Sequence, residues 1–418
     1  MTVAFKTFGC RLNQAETAQF EDDFAAAGVR RVPLDTPADV IVVHSCAVTR
    51  KAEHEGVKLL RSLRAKWPHA CIVLAGCAAA SIPADARAAL PADLLIPPSR
   101  KADLVPAVLA RLRLPPAPTP AAPRPPQRAT QRATLKIQDG CDFFCAYCIV
   151  PHTRGAPVSA PLETVLSEAR ALIDAGFQEL VITGCNIACY DAGGSTLPQL
   201  LRALLRLPGL GRLRIGSIEP GTVERDIIRL MADSPKICRF LHLPVQSADD
   251  ATLSRMRRRY TAADLRETLG LALGLMPRLA LGADLICGFP GETEDAFLRT
   301  LAFVTKHPFS NLHVFPYSER PGTPAATFGG AIPEPERKRR AKRLIDQGRI
   351  NRDTFARRFL QTPVECLVEH FDAHGLAHGW SSEYLPCAVS GLPRDRRRTL
   401  CTFTPDRLHN GTLTGPSR

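Results

Sequence analysis

Residues 161–183 read Pro161-Leu-Glu-Thr-Val-Leu-Ser-Glu-Ala-Arg-Ala-Leu-Ile-Asp-Ala-Gly176-Phe-Gln-Glu179-Leu-Val-Ile-Thr183. This stretch decides the fold class. Leu162, Val165, Leu166, Ala169, Leu172 and Ile173 recur at helical spacing. Pro161 suits the first helical position, where its missing N–H has no partner to lose, and Gly176 ends the run. Glu179–Thr183 follows as a short apolar strand. A helix feeding such a strand is the repeating unit of a parallel α/β sheet.

Working outward, the same alternation predicts strands at Thr134–Gln138, Glu179–Thr183, Leu213–Ser217, Phe240–Pro244, Leu281–Ile286 and Asn311–Phe315, with helices between them. Six β/α units predict a partial (β/α)6 barrel, short of the usual eight. A shorter alternation precedes it. Val3–Phe8, Val40–His44, Cys71–Ala75 and Asp93–Ile96 read as strands, and Gln14–Ala27 and Lys51–Lys66 as helices. The expectation there is a parallel sheet sandwiched between helices, in a domain over residues 1–112.

Seven prolines between Pro115 and Pro126 predict an extended linker over 113–133. The barrel domain is then expected over 134–330 and a basic helix over 331–362. Within the latter, Pro333–Gln361 carries ten Lys or Arg against four acids. A run of this kind is either a solvated face or a phosphate-contacting surface. Residues 363–418, with short β-like pieces between Gly and Pro, predict a small β-rich domain.

The chain has 418 residues, 14 cysteines and a formal charge of +13. A hydrophobic content of 45% excludes a disordered chain. Leu269–Phe289, the longest mainly apolar stretch, is broken by Pro277, Arg278 and Asp284, so no membrane span is expected. The first residues lack a signal-peptide core, which predicts a cytoplasmic protein. In a reducing compartment fourteen cysteines point to metal or redox chemistry rather than disulfides. The positive excess points to a polyanion, most simply nucleic acid.

The strongest local signal is Gly140-Cys141-Asp142-Phe143-Phe144-Cys145-Ala146-Tyr147-Cys148, a C-x3-C-x2-C loop just past the first barrel strand. Three thiols so spaced can wrap one iron–sulfur cluster and leave one iron open. His152 also permits a Cys3His zinc site. Cys10, Cys46 and Cys77 each lie just past a predicted strand of one parallel sheet, so three distant thiols can converge on one edge. Gly9 and Gly76 precede two of them and would admit a bulky ligand. The competing reading is three small buried hydrophobes. Cys71 and Cys287 read as packing residues, and Cys185 and Cys189 as structural.

Polar groups follow the other barrel strands: Thr183-Gly184, Ser217-Ile218-Glu219, Pro244-Val245-Gln246-Ser247 and Ile286-Cys287-Gly288-Phe289-Pro290-Gly291. Together they would ring one mouth, as a polar cofactor requires. Arg255-Met256-Arg257-Arg258-Arg259-Tyr260 is either a phosphate-contacting cluster, with Tyr260 free to stack on a base, or a solvated helix end. Residues 315–324 read as a rigid loop near substrate.

The C-x3-C-x2-C loop with Tyr147 resembles the radical S-adenosylmethionine (SAM) signature. With Cys10, Cys46 and Cys77 upstream, the chain resembles the radical SAM methylthiotransferases. The likeness runs through 5–13, 75–77, 135–141, 242–247, 256–261 and 288–292. Leu312-His-Val-Phe-Pro-Tyr-Ser318 and the arginines before Tyr260 resemble the members acting on threonylcarbamoyladenosine at tRNA position 37. Members acting on isopentenyladenosine or on a ribosomal protein are built alike. Two positions depart from the family pattern: His44-Ser45 stands where Asn-Thr is usual, and Ala78 where a larger residue is common.

The resemblance implies a barrel with a TRAM-like C-terminal domain and two 4Fe-4S clusters. Cys141, Cys145 and Cys148 would hold one, Cys10, Cys46 and Cys77 the other. Tyr147, Thr183, Gly184, Ser217, Glu219, Gln246, Ile286 and Gly288 would contact SAM. It implies methylthiolation of carbon 2 of the tRNA base, an anticodon-loop partner, an outside electron donor such as a flavodoxin or ferredoxin system, and a monomer. A non-catalytic metal-containing RNA-binding protein is the reading outside this class; it would release no 5′-deoxyadenosine.

Overall fold

A computed structural model describes residues 1–115 and 130–417. Most of the predicted linker lies outside the described residues. The chain forms two compact units: Met1–Ala129 with Asp139–Val158 and Ser318–Ala326, and Thr130–Gln138 with Ser159–Tyr317 and Thr327–Arg418.

In the first unit, β1 (Thr2–Thr7), β2 (Arg30–Arg31), β3 (Val40–His44), β4 (Cys71–Ala75) and β5 (Leu94–Ile96) form one sheet, in the order β2-β1-β3-β4-β5. Every pairing is parallel. β3 and β4 are buried along their whole length, and their continuous apolar runs are what burial on both faces demands. Phe20 and Phe24 of α1 (Arg11–Ala26) and Val105 and Val108 of α4 (Leu104–Arg111) cover one face. Leu60 and Leu63 of α2 (Arg50–Lys66) cover the other. The predicted sandwich is therefore present, and its strands are in flush register. Thr7 pairs with His44, His44 with Ala75, and Ala75 with Ile96. The carboxyl ends consequently stop in one row.

The second unit carries β6 (Ala133–Lys136), β7 (Glu179–Thr183), β8 (Arg212–Arg214), β9 (Phe240–Gln246), β10 (Ala280–Cys287) and β11 (Phe309–Pro316). They form two three-stranded parallel sheets, β8-β7-β6 and β9-β10-β11. The isolated bridge Leu213↔Ile237 ties β8 to the residues just before β9. The expected run of six strands is thus split in the middle, because β8 is only three residues long and ends well before Ser217. Leu162–Asp174, α6, packs its predicted apolar stripe on this unit's largest core. Pro161 stands one position earlier than expected, as its N-cap.

β12 (Val364–Phe371), β13 (Ala377–Ser381), β14 (Pro386–Ser390), β15 (Leu400–Phe403), β16 (Arg407–His409) and β17 (Thr412–Pro416) form a six-stranded sheet in the order β15-β12-β13-β14-β17-β16. A bridge from Phe403 to Ser417 begins to curl it into a half-barrel. Its core takes in Phe355 and Phe359 at the end of the long basic helix, α11 (Glu334–Arg357) with the turn after it, and Phe240 and Ala280 at the starts of β9 and β10.

A buried ionic knot adds to that contact. Glu179, fully buried, accepts from Arg212 Nε and Arg214 Nε. Arg212 also donates to Trp380 O at 2.8 Å, and Arg214 to Ser381 O at 3.0 Å. Burial alone would raise the Glu179 pKa; the two guanidiniums overcome it and bring it to about 2.

The basic helix spends much of its charge internally. Arg339 and Arg340 pair with Glu336, Arg340 with Glu292, and Arg343 with Glu294. These pairs fasten the helix to the segment after β10, a role that neither reading of the run named. No helix among the described residues is long and apolar enough to cross a membrane.

Candidate metal centres

The flush row of strand ends is what gathers the first three thiols. Cys10 stands three residues past β1, as the N-cap of α1. Cys46 stands two past β3. Cys77 stands two past β4 and opens the short helix α3 (Cys77–Ser81). β1, β3 and β4 are adjacent, so these positions occupy one stretch of the sheet edge. Cys46 and Cys77 are buried and Cys10 is exposed. Gly9 has φ +104°, and a Cβ there would lie 2.4 Å from Cys46 Cβ and 3.1 Å from Cys46 Sγ. Only glycine lets the Cys10 turn close onto the Cys46 side chain.

The thiols sense one another. A hydrogen bond with Cys46, helped by the Arg154 charge, lowers the Cys10 pKa to about 6. The same bond and burial push Cys46 upward. Burial raises Cys77, against the pull of Arg154.

Arg154, at the end of α5 (Val150–Arg154), is the hub of this region. Its side chain is 2% exposed, yet all five N–H donors have acceptors. Nε donates to Cys77 Sγ at 3.2 Å. Nη1 donates to Glu16 Oε1 and Asp139 Oδ1, both at 2.9 Å. Nη2 donates to Glu16 Oε2 at 2.8 Å and Asn13 Oδ1 at 3.1 Å. Lys101 pairs with Asp139 as well. His44, the departure from the family pattern, contacts Thr17 Oγ1 at 2.9 Å through Nδ1 and lies 3.6 Å from Glu16 Oε2 through Nε2. Its imidazole therefore lies beside the Glu16 carboxylate that holds Arg154.

The C-x3-C-x2-C loop belongs to the same unit. Cys141 N–H donates to Gly155 O at 3.1 Å, and Cys148 N–H to Cys145 O at 2.9 Å, which folds the loop into a compact turn. Phe144, between the first two cysteines, has φ +47° and is exposed. His152 is exposed and its ring stands edge-on to Phe144, 6.0 Å away. Ala325 N–H donates to Ala146 O at 2.8 Å, so the predicted rigid loop after β11 packs on the cysteine loop. Arg320 from that segment is buried and donates to Glu53 Oε2 at 2.6 Å, and Ser81 Oγ donates to Glu53 Oε1 at 2.9 Å.

Sequence reading missed Arg154, Glu16 and Arg320. The one available signal was the arginine that closes the short turn after Cys148.

The other cofactor candidates belong to the second unit, apart from Tyr147, which is half-buried in the cysteine loop. Thr183 ends β7 and is buried, with half-buried Gly184 next. Ser217 is exposed and Glu219 buried, both in the turn after β8. Gln246 ends β9 with φ +59°, a strained geometry for a non-glycine residue that often marks functional sites. Ile286 is half-buried near the end of β10. Gly288 follows it, and the space a Cβ would take there is filled by the Arg337 side chain.

The basic cluster is a correction. Tyr260 is not a stacking platform; it is buried and donates to Pro244 O and Val245 O, each at 2.9 Å. Arg258 is bound to Glu219 and Pro244 O, and Arg255 to Pro290 O and Gly329 O. These side chains brace the turn after β8, the end of β9 and the turn after β10. Of the remaining cysteines, Cys71, Cys238, Cys287, Cys366, Cys387 and Cys401 are buried. Cys185 and Cys189 are half-buried at the turn after β7.

Comparison with known proteins agrees with this layout. A family model described as the radical SAM superfamily matches residues 135–304, and one described as uncharacterized protein family UPF0004 matches residues 2–97. The threonylcarbamoyladenosine tRNA methylthiotransferase MtaB of Bacillus subtilis (strain 168) is 32% identical, over 93% of this chain and 90% of that protein. Its namesake from Thermotoga maritima is 33% identical, over 92% and 90%. A tRNA-2-methylthio-N(6)-dimethylallyladenosine synthase of Jannaschia sp. (strain CCS1) is 35% identical, over 81% and 77%. Among solved structures, the radical SAM methyltransferase TsrM of Kitasatospora setae shares the fold, with TM-score 0.58 at 15% identity, over 78% of this chain and 77% of that one. Radical SAM proteins work with a 4Fe-4S cluster and SAM. The chain belongs to the radical SAM methylthiotransferase family.

Proposed function

We propose that this enzyme methylthiolates carbon 2 of N6-threonylcarbamoyladenosine at position 37 of tRNA, using two 4Fe-4S clusters. The observation that carries the two-cluster reading is the gathering of both cysteine trios in one compact unit, with Arg154 from the helix after the second trio donating to Cys77 of the first. The substrate reading draws on relatives of that name that match more than nine-tenths of the chain.

The donor sets fit the groups. Thiolates are the usual ligands of such clusters. The edge turn holds Cys46 and Cys10 within hydrogen-bond reach of each other, and α1 points its N-terminus at the anionic group that would sit there. Cys141, Cys145 and Cys148 would hold the SAM-binding cluster; Cys10, Cys46 and Cys77 would hold the second. With SAM bound, the first supplies one-electron chemistry able to open an unactivated carbon–hydrogen bond, which acid–base side chains alone cannot do.

This chain's own residues bind and orient. Arg154, fixed by Glu16, Asp139 and Asn13, presents one N–H to the Cys77 sulfur and stabilises its thiolate form. Thr183, Gly184, Ser217, Glu219, Gln246, Ile286 and Gly288 are assigned to SAM, with Tyr147 in the cluster loop. The target base leaves its stack within a single-stranded anticodon loop. The functional division follows 1–112, 113–133, 134–330, 331–362 and 363–418, the last segment a TRAM-like β domain. The enzyme acts as a cytoplasmic monomer fed by an outside flavodoxin or ferredoxin system.

Mass spectrometry of tRNA nucleosides from a strain lacking the gene tests the substrate. Loss of 2-methylthio-N6-threonylcarbamoyladenosine is expected. Loss of the methylthiolated isopentenyl nucleoside instead would move the assignment to the substrate named for the 35%-identical relative.

A further inference from the structure

A second donor cluster lies wholly within the second unit and is composed of different chemistry. Side chains alternate along β9, β10 and β11. Leu241, Leu243, Val245, Leu281, Ala283 and Leu285 enter the main core. His242, Asp284 and His313 share the opposite face. Asp284 is paired in register with His313, and His242 with Gly282, two residues before Asp284.

The three polar side chains converge. Asp284 Oδ1 lies 3.0 Å from His242 Nε2 and 3.0 Å from His313 Nδ1. The three donor atoms all fall within 4.8 Å of one another. The two imidazoles are 5.0 Å apart and inclined at 39°. Both address the same carboxylate oxygen rather than one each, so the three side chains gather about Asp284 Oδ1. Ligand atoms that share one first-row cation at about 2.0–2.2 Å stand roughly 3 Å apart at right angles. The two oxygen–nitrogen separations, 3.0 Å each, already match that spacing.

Two further features favour a built site. A Cβ at residue 282 would lie 2.4 Å from His242 Nδ1 and 2.6 Å from Phe240 Cζ, so a glycine keeps the imidazole in place. Exposure is graded across the trio: the side chains are 6%, 23% and 47% exposed for His242, Asp284 and His313. One side of the locus is sealed and the other is open to a further ligand.

We infer that His242, Asp284 and His313 form a two-histidine, one-carboxylate site for a divalent first-row cation such as Zn2+, with coordination positions left for water or an oxygen-donor ligand. None of the three is a cysteine-site residue, so the inference stands whether or not the two-cluster reading does.

The test uses the full-length protein with its iron–sulfur clusters reconstituted, stripped of loose metal with a chelator and titrated with Zn2+. One zinc per chain is expected beyond the cluster iron, with an X-ray absorption edge showing nitrogen and oxygen neighbours. His313→Ala, at a half-exposed position, and Asp284→Asn should each weaken uptake roughly tenfold or more while leaving iron content unchanged. Absence of stoichiometric zinc, sulfur neighbours at the zinc edge, or undiminished uptake by His313→Ala would each overturn the site.

Discussion

Two buried sets of arginines make the most instructive contrast in the molecule. Arg154 in the first unit and the Arg212–Arg214 pair in the second are equally hidden from water. Arg212 and Arg214 send their donors to a carboxylate and to backbone carbonyls of the C-terminal sheet. Arg154 sends four donors to side-chain oxygens and the fifth to a sulfur. A buried cation that meets only oxygen is fastening pieces of structure together. One that reserves a donor for a thiol is conditioning that thiol. The acceptor, not the depth of burial, separates the two roles.

The contrast can be broken at four points. The largest effects belong to the cysteines. Cys145→Ala should lower iron from about eight to about four per chain and abolish 5′-deoxyadenosine release in the presence of SAM and dithionite. Cys77→Ala should cause a similar iron loss yet keep 5′-deoxyadenosine release while ending methylthio transfer. Iron assay with chromatography of the nucleoside products reads both.

Arg154→Gln comes next. It keeps every thiol but removes the charge and the N–H directed at Cys77. Product formation should fall roughly 10–100-fold with iron retained, and an EPR redox titration should show the second cluster becoming harder to reduce. An unchanged midpoint would reassign Arg154 to fastening, alongside Arg212.

Glu179→Gln should leave iron content alone and cost about 3–5 kcal/mol in urea unfolding, because two guanidiniums lose their buried counter-charge. The pH dependence has a definite sign. The Glu179 carboxyl is depressed from its ordinary value of about 4.5 to about 2 in the folded chain. Its stabilisation is complete above the unfolded value and is lost as pH falls toward 2; the variant should lack that acid limb.

The smallest effect is expected of Gly282→Ala. The new methyl meets His242 and Phe240, an overpacking cost of about 1–3 kcal/mol read as a lower melting temperature.

Much of this frame was legible in the sequence. β3, β4 and β7 were bounded residue for residue, since strands buried on both faces must be continuous apolar runs. That Cys10, Cys46 and Cys77 stand just past adjacent strands followed from parallel topology alone. What stayed hidden depends on partners far away in the chain. Arg30–Arg31 forms β2 with no apolar signature, because pairing with β1 is all that defines it. Tyr260 looked like a stacking residue beside arginines until its hydroxyl found two carbonyls. Arg154 carries no motif of its own; its meaning comes from Glu16 and Cys77, 138 and 77 positions away. The break between β8 and β9 was invisible too, since the apolar pattern continues through Ile215 after strand pairing has stopped.

The knot around Glu179 also limits how this protein can be cut or recombined. A truncation before Val364 would strip Arg212 and Arg214 of the carbonyls they rely on and uncover Phe240 and Phe355 at once. A C-terminal segment grafted from a relative would fit only if its backbone presented oxygens at the places of Trp380 and Ser381. The segment from Val364 onward is thus less a detachable accessory than the lid without which the preceding strands stand open to water.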